Sequence, residues 1–213
     1  MLKLRLFVRG RGFFLINSYI SDMKGINIFL ADGFEDMEAL GTCDVLRRAG
    51  LPVELVSIKK DLAVTSSHGV EIEAEWILED METGPGGTTE ADVMIFPGGM
   101  PGAKSLAACK PLIKAMKAHY KDGGTLAAIC AAPGLVLSQL DDVKGLEFTC
   151  FDGFEQSLVD KGAVFTPKPS VRCGRIITGR SAGHAVNFAL SIVEALVPDA
   201  LGQVRHSLFL DTL

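Results

Sequence analysis

Thr125-Leu126-Ala127-Ala128-Ile129-Cys130-Ala131-Ala132-Pro133-Gly134 decides how the rest of the chain is read. Leu126-Ala127-Ala128-Ile129 is an apolar run of the length of a buried strand. Pro133 then opens a helical run, residues 135–140, at a position where helices tolerate proline. Cys130 falls at the hinge, which is the layout of a strand–nucleophile–helix elbow. A helix N-terminus favours thiolate over thiol. An ordinary thiol with a pKa near ~8.5 is only about 3% ionised at pH 7. Lowering that pKa by about three units takes ~4 kcal/mol, and a helix end supplies ~0.3–1 kcal/mol. A reactive Cys130 therefore needs further partners. The same pattern also suits a small buried residue closing a core strand, and from the local residues both readings stay open.

Outward from this elbow, strand and helix patterns alternate. Ile26-Asn27-Ile28-Phe29-Leu30-Ala31 reads as the first strand, and residues 35–49 as a helix stopped by Gly50. Residues 52–58 form a second strand. Val70, Ile72, Ala74 and Trp76 alternate with glutamates, which predicts a half-exposed edge strand. Residues 79–90 read as a surface loop. Val93-Met94-Ile95-Phe96 is another buried strand, followed by Pro97-Gly98-Gly99 and by one or two helices over 104–120. Beyond the elbow come short strands at 146–150, 164–166 and 175–178, the last part of an antiparallel excursion around Cys173-Gly174. Helices are expected over 154–160, 182–196 and 198–206. Such alternation means an α/β sandwich with a mainly parallel sheet, whose active crevice lies at the carboxyl ends of the strands.

Composition narrows the function classes. The chain has 213 residues, enough for one domain with a sizeable core. Basic residues number 21 and acidic ones 26, a net charge of −5 without a basic cluster, so nucleic acid is a poor partner. No apolar run approaches ~18 residues, so no membrane-spanning helix is expected. The five cysteines, at 43, 109, 130, 150 and 173, form no C-x-x-C pair. That argues against a disulfide framework and a zinc site, and for a reducing, cytoplasmic setting. Residues 1–22 stand apart, with Lys3, Arg5, Arg9 and Arg11 and no acid before Asp22. They are read as an appendage, upstream sequence before a start at Met23, or else as an extra arm; residues 23–213 form the domain.

Three strand ends can carry chemistry: the turn before Glu38, the Gly98-Gly99 pair, and Cys130. Glycines at a strand end can offer bare backbone N–H groups to a substrate oxygen or a thiolate. Taken alone, Pro-Gly-Gly is also an ordinary tight turn, and Glu38 an ordinary solvated acid on a helix face.

The ordered set of motifs carries more. Leu30-Ala31-Asp32-Gly33-Phe34-Glu35-Asp36-Met37-Glu38, Asp44-Val45-Leu46-Arg47-Arg48-Ala49-Gly50, Phe96-Pro97-Gly98-Gly99, Ala127-Ala128-Ile129-Cys130-Ala131-Ala132-Pro133 and Thr178-Gly179-Arg180-Ser181-Ala182-Gly183 follow one another at this spacing. Together with the 188–196 run they resemble the ThiJ/PfpI superfamily, on the branch of the parkinsonism-associated protein (DJ-one) and bacterial ThiJ-type proteins. The resemblance covers residues 26–210. It implies a flavodoxin-like three-layer sandwich, related to class I glutamine amidotransferases, and a homodimer. It implies that Cys130 is the reactive cysteine, with Glu38 as its protonated partner acid. Gly98, Gly99 and Ala131 would line the oxyanion site with backbone.

Two departures qualify the activity. Peptidase-like members follow the cysteine with histidine; here Ala131 stands there, so a Cys–His hydrolytic dyad is absent. Members credited with glyoxalase chemistry often place a histidine where this chain has Cys150. His184, at a helix start near the family's pocket, and His68, where relatives often carry arginine, are the candidate replacements, each weighed against a surface role. Cys150 is read either as a core residue or as a resolving thiol for an oxidised Cys130. The resemblance implies a cofactor-free, metal-free glyoxalase- or deglycase-type enzyme acting on small 2-oxoaldehydes or their adducts, in stress defence. The alternatives are a redox-sensing or chaperone-like stress protein without turnover, and a thiazole monophosphate role attached to ThiJ names. No G-x-x-x-x-G-K-[ST] loop supports the last.

Overall fold

The structure is a computed structural model that describes residues 6–9, 12–15, 21–82 and 88–212. Its centre is a seven-stranded sheet: β1 Ile26–Leu30, β2 Val53–Ser57, β3 Trp76–Ile77, β4 Val93–Phe96, β5 Thr125–Ile129, β6 Ser170–Cys173 and β7 Ile176–Gly179. The spatial order is β6-β7-β5-β4-β1-β2-β3, and only β6 runs antiparallel to its neighbour. The helices are α1 Thr42–Arg48, α2 Met100–Ala108, α3 Lys110–Lys121, α4 Ala132–Leu135, α5 Gln156–Val159, α6 Ala185–Leu196 and α7 Leu201–Ser207. No helix among the described residues is long and apolar enough to cross a membrane.

The central strands β1, β4 and β5 are buried on both faces, which is why they read as apolar runs rather than alternating ones. Ile28, Leu30, Ile95, Ala127 and Ile129 pack on one face with Val45 and Leu46 of α1 and Phe188 and Ile192 of α6. Phe29, Met94, Phe96, Leu126 and Ala128 pack on the other with Leu106 of α2 and Leu112 and Met116 of α3. The result is the expected flavodoxin-like three-layer sandwich with a mainly parallel sheet. The chain runs outward from β1 to β2 and then returns to β4 on the other side of β1. That reversal between β1 and β4 is where an open α/β sheet forms its crevice.

Four expectations need correction. Residues 35–49 are not one regular helix: Met37–Gly41 is a π-helical turn, and α1 follows it. A wider turn rotates Glu38 inward while Val45 and Leu46 still face the sheet, and π-turns often mark functional sites. The helix stop is as expected. Gly50 takes φ 77°, and the N–H of Leu51 returns to the Leu46 carbonyl at 3.1 Å, closing a Schellman-type cap.

The period-two stretch from Val70 to Trp76 is not one edge strand. Glu71–Glu73 pairs antiparallel with Ala63–Thr65 in a separate hairpin, and only Trp76–Ile77 joins the main sheet. The break falls at Glu75. Its carboxylate accepts the Leu55 N–H at 2.7 Å, doing with a side chain what a strand does with a carbonyl. The surface loop expected over 79–90 is interrupted at its start, because Met81–Glu82 pairs in parallel with Ser21–Asp22. Finally, the helix expected over 135–140 is the short α4 followed by a 3₁₀ turn, Leu137–Gln139. Gly134 lies against the Phe154 carbonyl, so close that a side chain there would overlap it.

In residues 1–22, the described backbone pairs Leu6–Arg9 antiparallel with Gly12–Leu15, outside the main sheet. Ser21–Asp22 pairs with Met81–Glu82, and the remainder of that expectation lies outside the described residues.

Phe29 and Phe96 stack with ring centroids 5.7 Å apart and no exposed surface. They lie on β1 and β4, the two strands whose ends frame the crevice. Phe29→Ala is expected to lower unfolding stability by about 3–5 kcal/mol, read from urea denaturation followed by far-UV circular dichroism.

Candidate active site

Three loops leave the carboxyl ends of β1, β4 and β5 and converge. The β4 loop contributes Gly98, whose N–H donates to Oε2 of Glu38 at 2.7 Å. Glu38 is wholly buried, and its own N–H is held by Oε2 of Glu35 at 2.8 Å. The Glu38 carboxyl faces the Cys130 sulfur beside Gly98, and each group acts on the other's protonation. The other carboxyl oxygen, Oε1, is buried without a hydrogen-bond partner.

Cys130 has φ 65°, one of two non-glycine residues with positive φ among those described. A side-chain-bearing residue held there is strained, and such strain concentrates at functional sites. The backbone leaves it no freedom to relax. Its N–H donates to the Gly179 carbonyl at 3.0 Å, and its carbonyl accepts the Phe151 N–H at 2.9 Å. The N–H groups of Gly99 and Ala131 favour the charged form of the sulfur. Gly99, at φ 84°, lies so close to Gly33 and Glu35 that no side chain fits. Gly98 is equally constrained: a Cβ there would stand 2.5 Å from Glu38 Oε2 and 2.6 Å from Cys130 Cβ. The glycine pair is thus required by contact with the acid and the cysteine.

Burial pushes the Glu38 carboxyl up from 4.5 to about 7, against the hydrogen bonds from Cys130 and Gly98. The Cys130 thiol is pushed up to about 12 by burial first, then by the Glu38 charge, against the Gly99 and Ala131 N–H groups. This differs from the lowered thiol pKa read from the sequence, for a physical reason. Two anions side by side in a buried site repel, so while Glu38 is ionised the sulfur keeps its proton. When Glu38 holds the proton that repulsion is gone, and the two backbone donors remain. The pair is built to carry one negative charge. The contribution expected from the helix N-terminus is small, because α4 is only four residues long.

The other expected residues lie around this centre without entering it. His184 caps the start of α6, with Nδ1 3.1 Å from the Ser181 hydroxyl. Its 3₁₀ turn, Ala182–His184, packs against the π-helical turn of Glu38. His68 is exposed and pairs with Asp36 at 2.7 Å. Cys150 is wholly buried and packs in the layer of α2 and α3, whereas Cys130 packs against that of α1 and α6. Both cysteines are free thiols. Sequence reading missed Glu35, Asp36 and Phe151. Glu35 and Asp36 sat in a quoted motif, but nothing local distinguishes them from other acids of a first helical turn. Phe151 acts through its backbone, which sequence does not mark.

The fold and centre define a parallel α/β sandwich with a strained elbow cysteine facing a buried acid. Comparison with known proteins makes this specific. The model of the DJ-1/PfpI family matches residues 24–195, and the chain belongs to that family. It is 32% identical over 195 residues to Protein DJ-1 homolog B of Arabidopsis thaliana, covering 92% of this chain and 43% of that protein. The chain thus spans less than half the length of this plant relative. It is 33% identical to Protein dj-1beta of Drosophila melanogaster, covering 81% of this chain and 89% of that one. A Caenorhabditis elegans relative named glutathione-independent glyoxalase DJR-1.2 is 32% identical, covering 76% and 82%. Among solved structures, Drosophila melanogaster DJ-1beta superposes with a TM-score of 0.78 at 29% identity, over 89% of this chain and 97% of that one. Oxidised Toxoplasma gondii DJ-1 gives 0.77 at 26%, over 87% and 98%.

The raised Glu38 pKa makes a stability prediction. An unfolded glutamate loses its proton near 4.5, whereas in the fold Glu38 keeps it to about 7. Between those values the native state binds more protons than the unfolded one, so this group's contribution falls as pH rises. Glu38→Gln, which keeps an acceptor for Gly98, removes that loss. Relative to the wild type, the variant should gain up to about 3 kcal/mol between pH 4.5 and pH 7. Urea titrations of both proteins at the two pH values check the sign and the size.

Proposed function

We propose that the chain is a cofactor-free enzyme of the glyoxalase or deglycase type, acting on small 2-oxoaldehydes or their adducts, with Cys130 as nucleophile and Glu38 as the proton-transferring acid. The observation that carries this reading is the strained Cys130 set against the buried Glu38 carboxyl beside Gly98, with the Gly99 and Ala131 N–H groups favouring the sulfur's charged form. The name of the Caenorhabditis elegans relative supports the reaction class.

The chemistry follows from the shared proton. The Cys130 thiolate adds to the aldehyde carbon of methylglyoxal, forming a C–S bond, and the carbonyl oxygen takes the proton from Glu38. The ionised Glu38 then removes the hydrogen on that carbon, leaving an enediol bound through sulfur. Return of the proton to the neighbouring carbon gives the thioester of a hydroxy acid. Water adds to the thioester, the C–S bond breaks, and lactate leaves with the thiol regenerated. The sum is methylglyoxal plus water to lactate, with no external oxidant. Backbone N–H groups from Gly99 and Ala131 would steady the oxygen where charge develops. Ala131 offers no imidazole, which weighs against peptidase chemistry.

A second reading is a redox-sensing stress protein whose cysteine is oxidised rather than turned over. It draws on the same donors around Cys130, which suit a sulfenate or sulfinate oxygen, and on the oxidised form of the Toxoplasma gondii protein. For either reading a homodimer is proposed, consistent with large apolar side chains left exposed, Met37 at 58% and Phe209 at 73%; sedimentation equilibrium decides it.

Lactate formation from methylglyoxal should continue over many turnovers in the wild type. It should vanish in Cys130→Ser and fall about 10²–10⁴-fold in Glu38→Ala. Activity surviving in a clean Cys130→Ser preparation excludes this mechanism. No turnover, together with stoichiometric peroxide oxidation of Cys130 seen by mass spectrometry, replaces it with the redox reading.

A further inference from the structure

Cys130 is gripped by two backbone bonds whose other halves lie in different segments. Its N–H donates to the Gly179 carbonyl, at the end of β7, at 3.0 Å. Its carbonyl accepts the N–H of Phe151, in the turn after Cys150, at 2.9 Å. A positive φ on a residue with a side chain persists only while the surroundings impose it. Keeping Cys130 at φ 65° therefore requires the 149–152 segment and the end of β7 to hold a fixed separation.

Two side-chain bonds span that separation. Before the backbone pair in sequence, the Thr149 N–H donates to Oγ1 of Thr178 at 2.9 Å, and both residues are wholly buried. One residue beyond Phe151 and Gly179, Nη2 of Arg180 donates to Oδ1 of Asp152 at 2.6 Å. Arg180 is a firm anchor. Its own N–H donates to the Pro169 carbonyl at 3.1 Å, and its guanidinium carbon lies 5.7 Å from the centroid of the Phe165 ring. The Asp152 turn is closed by the Phe154 N–H, which donates to the Phe151 carbonyl at 3.2 Å. An ion pair whose acid is 77% exposed adds little to global stability. The other guanidinium nitrogen, Nη1, is buried with no hydrogen-bond partner among the described residues, which is a further cost. The pair is thus poorly explained as a stabiliser of the whole fold, and its effect is local to the turn that carries Phe151.

We propose that Arg180 and Asp152 are positioning residues for Cys130: their ion pair fixes the Phe151 turn against the end of β7, and so keeps the sulfur set against Glu38. Neither side chain is asked to touch the sulfur or the substrate. With the pair broken, the turn shifts, the Phe151 bond to the Cys130 carbonyl loosens, and Cys130 relaxes from its strained φ. The sulfur then leaves Glu38 and the Gly99 and Ala131 N–H groups, and titrates as an ordinary thiol. The inference rests on the proposed role of Cys130 as the reacting residue, and it extends the site to segments beyond the ends of β1, β4 and β5.

The test is the rate at which iodoacetamide alkylates Cys130 as a function of pH, with the modified peptide identified by mass spectrometry. It compares the full-length wild type with Asp152→Ala, Arg180→Gln and Arg180→Lys. In Asp152→Ala and Arg180→Gln the pH profile should move toward that of an ordinary cysteine. Arg180→Lys, which keeps the charge, should lie closer to the wild type. With methylglyoxal as substrate, kcat should fall about tenfold or more in the first two variants, with KM little changed. Urea midpoints should stay near that of the wild type. A wild-type pH profile in Asp152→Ala overturns the proposal. So does a fall in urea midpoint that parallels the change in profile, because the pair would then serve the fold as a whole. An Arg180→Lys profile no nearer the wild type than that of Arg180→Gln also overturns it, because the charge would then have no part. Failure of the wild type to turn over methylglyoxal counts against the proposed function instead, and the alkylation profiles still decide this inference.

Discussion

A carboxyl with no exposed surface has to be held by something other than water. For Glu38 the holder is the Gly98 N–H, 2.7 Å from Oε2. The requirement propagates through the structure. Gly98 must end β4 without a side chain, because one would collide with both the acid and the cysteine. Gly99 must turn back against Gly33 and Glu35 at φ 84°. Glu38 must leave its helix pointing inward, which a π-helical turn achieves and a regular α-helical one would do only by rotating the apolar stripe of α1. Cys130 must then meet the acid from the third strand, and its φ of 65° records the cost of doing so. That one buried hydrogen bond ties the ends of β1 and β4 together, and the end of β5 closes against it.

Electrostatics gives the same centre its chemical character. Burial alone would leave both groups neutral. The Gly98 N–H bond favours the charged form of the acid, and the Gly99 and Ala131 N–H groups favour that of the sulfur, against burial and against each other's charge. As the site stands, burial and the Glu38 charge keep the proton on the sulfur, and the carboxyl is the group that titrates first. A site of this kind needs neither a histidine next to the cysteine nor a long helix behind it, and this chain has Ala131 in the first place and the four-residue α4 in the second.

The layered architecture was legible because buried parallel strands leave an unmistakable trace: short runs such as Val93-Met94-Ile95-Phe96 with no polar alternate. The positions of Cys130, Glu38 and the glycine pair at strand ends were legible for the same reason. Less local features were not. A π-turn adds one residue to a helix, and apolar periodicity over residues 35–49 is too coarse to register it. Alternation in the stretch from Val70 to Trp76 is the same whether the chain pairs with a sheet edge or with its own hairpin, and only the tertiary bond from Leu55 to Glu75 decides. Asp36 and His68 are 32 positions apart and meet through a bridge at Phe34 and Ser66 that no residue type announces. The inward aim of Glu38 was expected only through the family resemblance, because a lone glutamate on a helix is ordinarily solvated.

The margins of the sheet have a consequence of their own. An open sheet offers its outermost strands as templates on which other chains can add, and long bare margins invite polymerisation. Here one margin is Trp76–Ile77, two residues long, with the indole N–H held by the Glu54 carboxylate at 3.1 Å. The other is Ser170–Cys173, which carries the charged Arg172 and turns back at Gly174. Both margins are short, so among the described residues the main sheet offers another chain little backbone on which to add a strand.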